Sequence, residues 1–105
     1  MKTYYAHSKL DYGTQKEKDD IAWLQTQGLD VVDPNSMMGE LGAMQPYLNR
    51  VIACQALVLR CHTGMFVGKG AFHEVAQALA SDKSARVFIG KHKLAQIRGI
   101  MLQIS

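Results

Sequence analysis

Glu74 follows the glycine-rich stretch Gly68-Lys69-Gly70, which itself follows the apolar run Ala56-Leu57-Val58-Leu59. Read as strand, loop and helix, this order puts a carboxylate in the first turn or so of a helix whose amino end lies beyond a strand's carboxyl end. Such junctions are where α/β proteins build ligand sites. Orphan backbone N–H groups there suit a phosphate, and a nearby carboxylate can act on whatever the phosphate anchors. A second junction of this kind opens the chain, where Thr3-Tyr4-Tyr5-Ala6 runs into the polar pair His7-Ser8. Two such strand ends in 105 residues predict one shared cleft.

Each of these residues also has a plainer role open to it. A glutamate near a helix start is favoured by the macrodipole alone, and His7 can serve as a hydrogen-bonded structural histidine. Gly68-Lys69-Gly70 lacks the spacing of a P-loop, and glycine is common in such loops for turn geometry. Tyr4 and Tyr5 point to opposite sides of a strand, so one is free to stack on a ligand while the other packs in the core. Cys61-His62 with His73, His92 or Cys54 contains no C-x-x-C or H-x-x-x-H pair, so no metal site is expected. Cys54 and Cys61 read as free, buried thiols.

The elements that must position these groups follow from local pattern. Lys2 to Ala6 reads as a short strand rich in β-favouring tyrosine. Thr14 is an N-cap, with Glu17 three residues later completing a capping box, and the helix runs to about Gln27 and stops at Gly28. Ile21, Trp23 and Leu24 supply much of its apolar face, with Leu10 or Tyr12 stapling its start. Leu29 to Val32 is a second strand, closed by the turn signature Asp33-Pro34-Asn35. Pro46 opens a helix through about Cys54, with Leu48, Val51 and Ile52 facing inward. Met37, Met38 and Met44, beside Gly39 and Gly42, allow a flap over the cleft or an irregular helix. Ala56 to Cys61 is a strand covered on both faces. Phe72, Val75, Ala76 and Leu79 recur at helical spacing over Ala71 to Ala80, and Arg86 to Ile89 is another strand. For Lys93 to Ile104, β structure is favoured over a helix. The resulting β-α-β-α-β-α-β order predicts an α/β fold with a mainly parallel sheet of four to five strands and helices on both faces.

Length and composition bound the rest. The chain is 105 residues with 48% hydrophobic and 20% charged residues, which is one soluble globular domain over residues 1–105. No run approaches a membrane span or the apolar core of a signal peptide, so cytoplasmic residence is the default and no membrane partner is expected. A formal charge of +3 is modest for gripping a nucleic-acid backbone. Lys83, Arg86, Lys91, Lys93 and Arg98 bias the C-terminal third and read as a solvated face rather than a nucleic-acid stripe.

Four segments together resemble a known family: Tyr4-Tyr5-Ala6-His7-Ser8, Gly28 through Asn35, Ile52 through Val58, and Gly68 through Leu79. Their order is similar to the nucleoside 2-deoxyribosyltransferase superfamily, which includes the 2′-deoxynucleoside 5′-phosphate N-hydrolases. The resemblance spans residues 2 to about 90 and implies a Rossmann-like three-layer α/β/α fold. It implies that Glu74 attacks the anomeric carbon of a nucleoside, a step whose oxocarbenium-like transition state a carboxylate can trap or stabilise. It puts Tyr5, His7 and Ser8 at the nucleoside pocket, with Gly68, Lys69 and Gly70 on a 5′-phosphate. It also implies a homo-oligomer, a dimer or higher, and no metal or organic cofactor.

The chain departs from the family pattern at Gln55, where members carry an aspartate that positions the sugar and shuttles protons. A glutamine can hydrogen-bond there but cannot take up a proton at neutral pH. Either His7, Asp11 or His73 replaces it, or the chain binds nucleotides without turning them over. The leading expectation is N-glycosidic hydrolysis, ahead of base exchange, on a nucleoside or nucleoside 5′-monophosphate. Glu74 and His7 are the expected catalytic residues, and Tyr5, Ser8, Gln55, Gly68, Lys69 and Gly70 the expected substrate contacts. The alternative is a sensor or sequestering protein.

Overall fold

The structure, a computed structural model, describes residues 1–37, 44–97 and 103–104. The strands are β1 (Lys2–His7), β2 (Asp30–Val32), β3 (Ala56–Arg60), β4 (Phe66–Val67), β5 (Ser84–Gly90), β6 (Lys93–Gln96) and β7 (Gln103–Ile104); the helices are α1 (Gln15–Thr26), α2 (Gln45–Ala53) and α3 (Lys69–Ala80). Five strands form one sheet in the order β2-β1-β3-β5-β6. β2, β1, β3 and β5 run parallel, and β6 turns back antiparallel to β5 along the edge. β4 and β7 make a separate two-stranded ladder. The strand favoured within 93–104 is thus partly realised, since β6 extends the main sheet. Met38, Gly39 and Gly42 of the expected flap lie outside the described residues.

Strand order reverses at β1: the chain first adds β2 on one side, then crosses to add β3 and β5 on the other. The β1–β3 register pairs Thr3 with Ala56 and His7 with Arg60, so the carboxyl ends of both strands lie level. Ligand crevices in parallel sheets open at such a reversal.

Alternation along the strands sorts the core into two clusters. Tyr4, Ala6, Leu57, Leu59, Ala85 and Val87 pack with Val51 of α2 and with Ala71, Val75 and Ala78 of α3. Tyr5, Val58 and Phe88 pack with Leu24, Ile21 and Trp23 of α1. The inner stripe of α3 is Ala71, Glu74, Val75 and Ala78, rotated by one residue from the expected Phe72-Val75-Ala76-Leu79. Alanines at 71 and 78 let the helix lie close to the sheet, whereas Phe72 and Leu79 stay substantially exposed. α2 likewise buries Tyr47 and Val51 and leaves Ile52 exposed.

α1 departs furthest from expectation. Its buried positions are Glu17, Asp20 and Leu24, an i, i+3, i+7 stripe with two carboxylates in it. Each carboxylate has a partner on the sheet. Glu17 meets His7, while Asp20 receives a hydrogen bond from Tyr5 Oη at 2.5 Å and two from Arg60 at 2.8 Å each. Charge pairing thus docks α1 as much as apolar packing does. Thr14 caps the helix by accepting from Glu17 N at 3.3 Å, but the Glu17 side chain turns to Gly13 N and His7 instead of closing the capping box. Gly28, at φ +81°, ends α1 in the left-handed conformation that favours glycine.

Candidate active site

A cavity of about 470 Å³ opens beyond the carboxyl end of β1, against the amino-terminal half of α3. His7, Ser8, Lys9 and Tyr12 form one wall; Gly68, Gly70, Ala71 and Glu74 form the opposite one; Met44 and Tyr47 from the α2 side close a third. The volume is that of ordinary small-molecule sites. The two junctions singled out in the sequence therefore do share one cleft.

Glu74 lies in the second turn of α3, one turn deeper than expected, and is only 5% exposed. The phenol of Tyr4 donates a hydrogen bond to Glu74 Oε2. Burial pushes the Glu74 carboxyl up to about 7, and the Tyr4 hydrogen bond opposes that rise by stabilising the anion. A carboxyl poised near neutrality can serve as a nucleophile when ionised or a proton donor when not. Burial, and next the negative charge of Glu74, push the Tyr4 phenol well above its ordinary range, so Tyr4 is a donor only. Tyr12, facing the same cavity, is raised for the same two reasons.

His7 lines the cavity with both ring nitrogens engaged. Nδ1 lies 3.0 Å from the Tyr5 carbonyl and Nε2 lies 2.6 Å from Glu17 Oε2. The ring stacks on Tyr5 at 4.1 Å between centroids. Ser8 also lines the cavity, with its Oγ accepting from Leu10 N at 3.1 Å. Among the described residues no side chain caps α3, whose N-cap is Gly68. The first-turn N–H groups of that helix are thus the orphan donors to which an anion is drawn.

Comparison of the chain with family models, curated proteins and solved structures finds no match in any of the three.

The remaining expected residues lie elsewhere. Tyr5 does not line the cavity: its side chain points to the α1 side of the sheet and bonds Asp20. Tyr4, on the other face, is the tyrosine that reaches the site. Lys69 is exposed and outside the lining; the lysine on the rim is Lys9. Gln55 precedes β3, at the opposite end of the sheet, where its Oε1 accepts from Lys2 N at 2.7 Å. Asp11 is buried beside His62, with 3.0 Å between its Oδ1 and His62 Nδ1. His73 is exposed.

Proposed function

We propose that the chain is an N-glycosidic enzyme resembling the nucleoside 2-deoxyribosyltransferases and 2′-deoxynucleoside 5′-phosphate N-hydrolases, with the Rossmann-like three-layer α/β/α arrangement of that superfamily. Its substrate is a nucleoside or nucleoside 5′-monophosphate, and hydrolysis is the favoured outcome. One observation carries this reading: Glu74 is buried in the wall of the cavity, held near neutrality and oriented by the Tyr4 phenol. A carboxylate in that state suits attack on an anomeric carbon.

In this mechanism the Tyr4 hydrogen bond engages Oε2 and leaves Oε1 to attack. As Oε1 bonds the anomeric carbon the glycosidic bond breaks, and the base leaves with the bonding pair and takes a proton from solvent. Water then adds at the anomeric carbon, loses a proton and releases Glu74 as the carboxylate. The uncapped amino end of α3 at Gly68 and Gly70, with Lys9 across the cavity, anchors the 5′-phosphate. Tyr12 and Tyr47 offer aromatic faces for the base. By analogy with the superfamily the enzyme is a homo-oligomer.

One observation favours a second reading, nucleotide binding without turnover. Glu74 is the only carboxylate among the described lining residues, and glycosidases ordinarily use two. Chromatography of nucleosides and 5′-monophosphates incubated with the wild type and Glu74→Ala decides between them. Free base from the wild type alone supports the enzyme. Binding with no release of base by either protein supports the binder.

A further inference from the structure

Behind the cavity wall, three side chains from separate stretches of the chain converge: His7 at the end of β1, Glu17 in the first turn of α1, and Asp33 just after β2. One donor atom from each lies within 4.8 Å of the other two. His7 Nε2 is 2.6 Å from Glu17 Oε2 and 3.9 Å from Asp33 Oδ1. The Tyr5 carbonyl beside Nδ1 only accepts, so Nδ1 carries a hydrogen. Nε2 is then the ring nitrogen turned toward the carboxylate oxygens of Glu17 and Asp33. One imidazole nitrogen and two carboxylates converging on one point form a donor set that a divalent ion can join.

The surroundings have the form that supports metal ligands. The ring N–H directed at a backbone carbonyl fixes the tautomer that exposes Nε2. The outer oxygen of Glu17, Oε1, is held by Gly13 N at 3.1 Å and Asn35 Nδ2 at 3.4 Å, which turns Oε2 toward the centre. Stacking on Tyr5 keeps the imidazole from rotating.

We propose that His7, Glu17 and Asp33 bind a divalent cation of the zinc class. Imidazole and carboxylate donors suit zinc and its neighbours rather than magnesium or calcium. Donors stand about 2.0–2.2 Å from such an ion, so His7 and Glu17 spread slightly as it enters and Asp33 draws in. The ion ties β1, α1 and the turn after β2 together at the carboxyl end of the sheet. This inference does not depend on glycosidic chemistry.

Cobalt(II) is the direct probe, titrated into metal-free full-length protein and then displaced by zinc. Visible d–d absorption should saturate at one ion per chain. Zinc should also raise the unfolding temperature. Asp33→Ala should weaken binding at least about tenfold, and Glu17→Gln should abolish it, with circular dichroism reporting the fold of both. If Glu17→Gln does not fold, Asp33→Ala carries the test because its side chain is partly exposed. Absence of saturable binding at millimolar metal would overturn the proposal. So would undiminished binding by Asp33→Ala, or a thiolate-to-cobalt band that disappears in Cys54→Ser/Cys61→Ser.

Discussion

The Tyr4 phenol donates to the Glu74 carboxylate behind the cavity wall, joining the first strand to the third helix across 70 residues of sequence. Neither group is readily reached by bulk water, since Tyr4 is fully buried and Glu74 nearly so. A desolvated carboxylate with one strong donor is a reactive group whose basicity burial raises and the donor restrains.

Glu74→Gln is expected to lower base release by ~10³-fold or more, the scale of losing an essential acid, base or nucleophile. Equilibrium binding of the same nucleotides should persist. Single-turnover assays alongside a binding titration check both halves. Unchanged base release in the variant would remove Glu74 from the chemistry.

Stability should respond to the same group in the opposite sense. The folded-state Glu74 titrates at about 7 against 4.5 for an ordinary glutamate carboxyl, so the folded protein holds the proton more tightly. Its contribution is full below the unfolded value and is lost as pH rises through about 7. By pH 8 the ionised side chain costs on the order of 3 kcal/mol relative to acid conditions. Denaturant titrations at pH 5 and pH 8 should show Glu74→Gln gaining on the wild type at the higher pH.

Tyr4→Phe should move the ascending limb of the pH–rate profile to higher pH. Burial raises Glu74, the Tyr4 hydrogen bond lowers it, and deletion leaves only the first effect. The variant should also lose ~1–3 kcal/mol at pH 8, the cost of a buried acceptor left without its donor. A pH profile that stays in place would show that Tyr4 does not set the basicity of the carboxylate.

Asp20→Ala tests how α1 is held. It strips the partner from Arg60 and from the Tyr5 phenol at once. Removing one side of a buried pair typically costs about 3–5 kcal/mol, here toward the lower end because Arg60 also donates to the Gly90 and Lys91 carbonyls. The pH profile of any activity should be unmoved, because this network lies on the other face of the sheet.

Lys9→Ala should raise KM for a 5′-monophosphate by about fivefold, an exposed charge pair's worth. Lys69→Ala should change it less, because Lys69 points outside the cavity lining. Parallel steady-state kinetics with a nucleoside lacking the phosphate should show neither effect.

Much of the element order and the shared cleft were legible in the sequence because their causes are local. Thr14 and Gly28 bound α1 through the geometry of single residues, and Asp33-Pro34-Asn35 makes its turn by bonding Asp33 Oδ1 to Asn35 N at 2.9 Å. Gln55, grouped with Glu74 by the resemblance, stands at the opposite end of the sheet because one precedes β3 and the other follows it. Tertiary structure decided what depends on the rotation of an element about its axis. Helical spacing in α3 fits two apolar stripes one residue apart, and packing against the sheet selected the one containing Glu74 over the one containing Phe72. Alternation shows that Tyr4 and Tyr5 diverge but not which side faces the cavity. The buried carboxylates of α1 were hidden for a related reason: Glu17 and Asp20 stand among Lys16, Lys18 and Asp19, where charge pattern alone does not mark them for burial. Their burial is offset by His7, Arg60 and Tyr5, partners that only the folded sheet brings within reach.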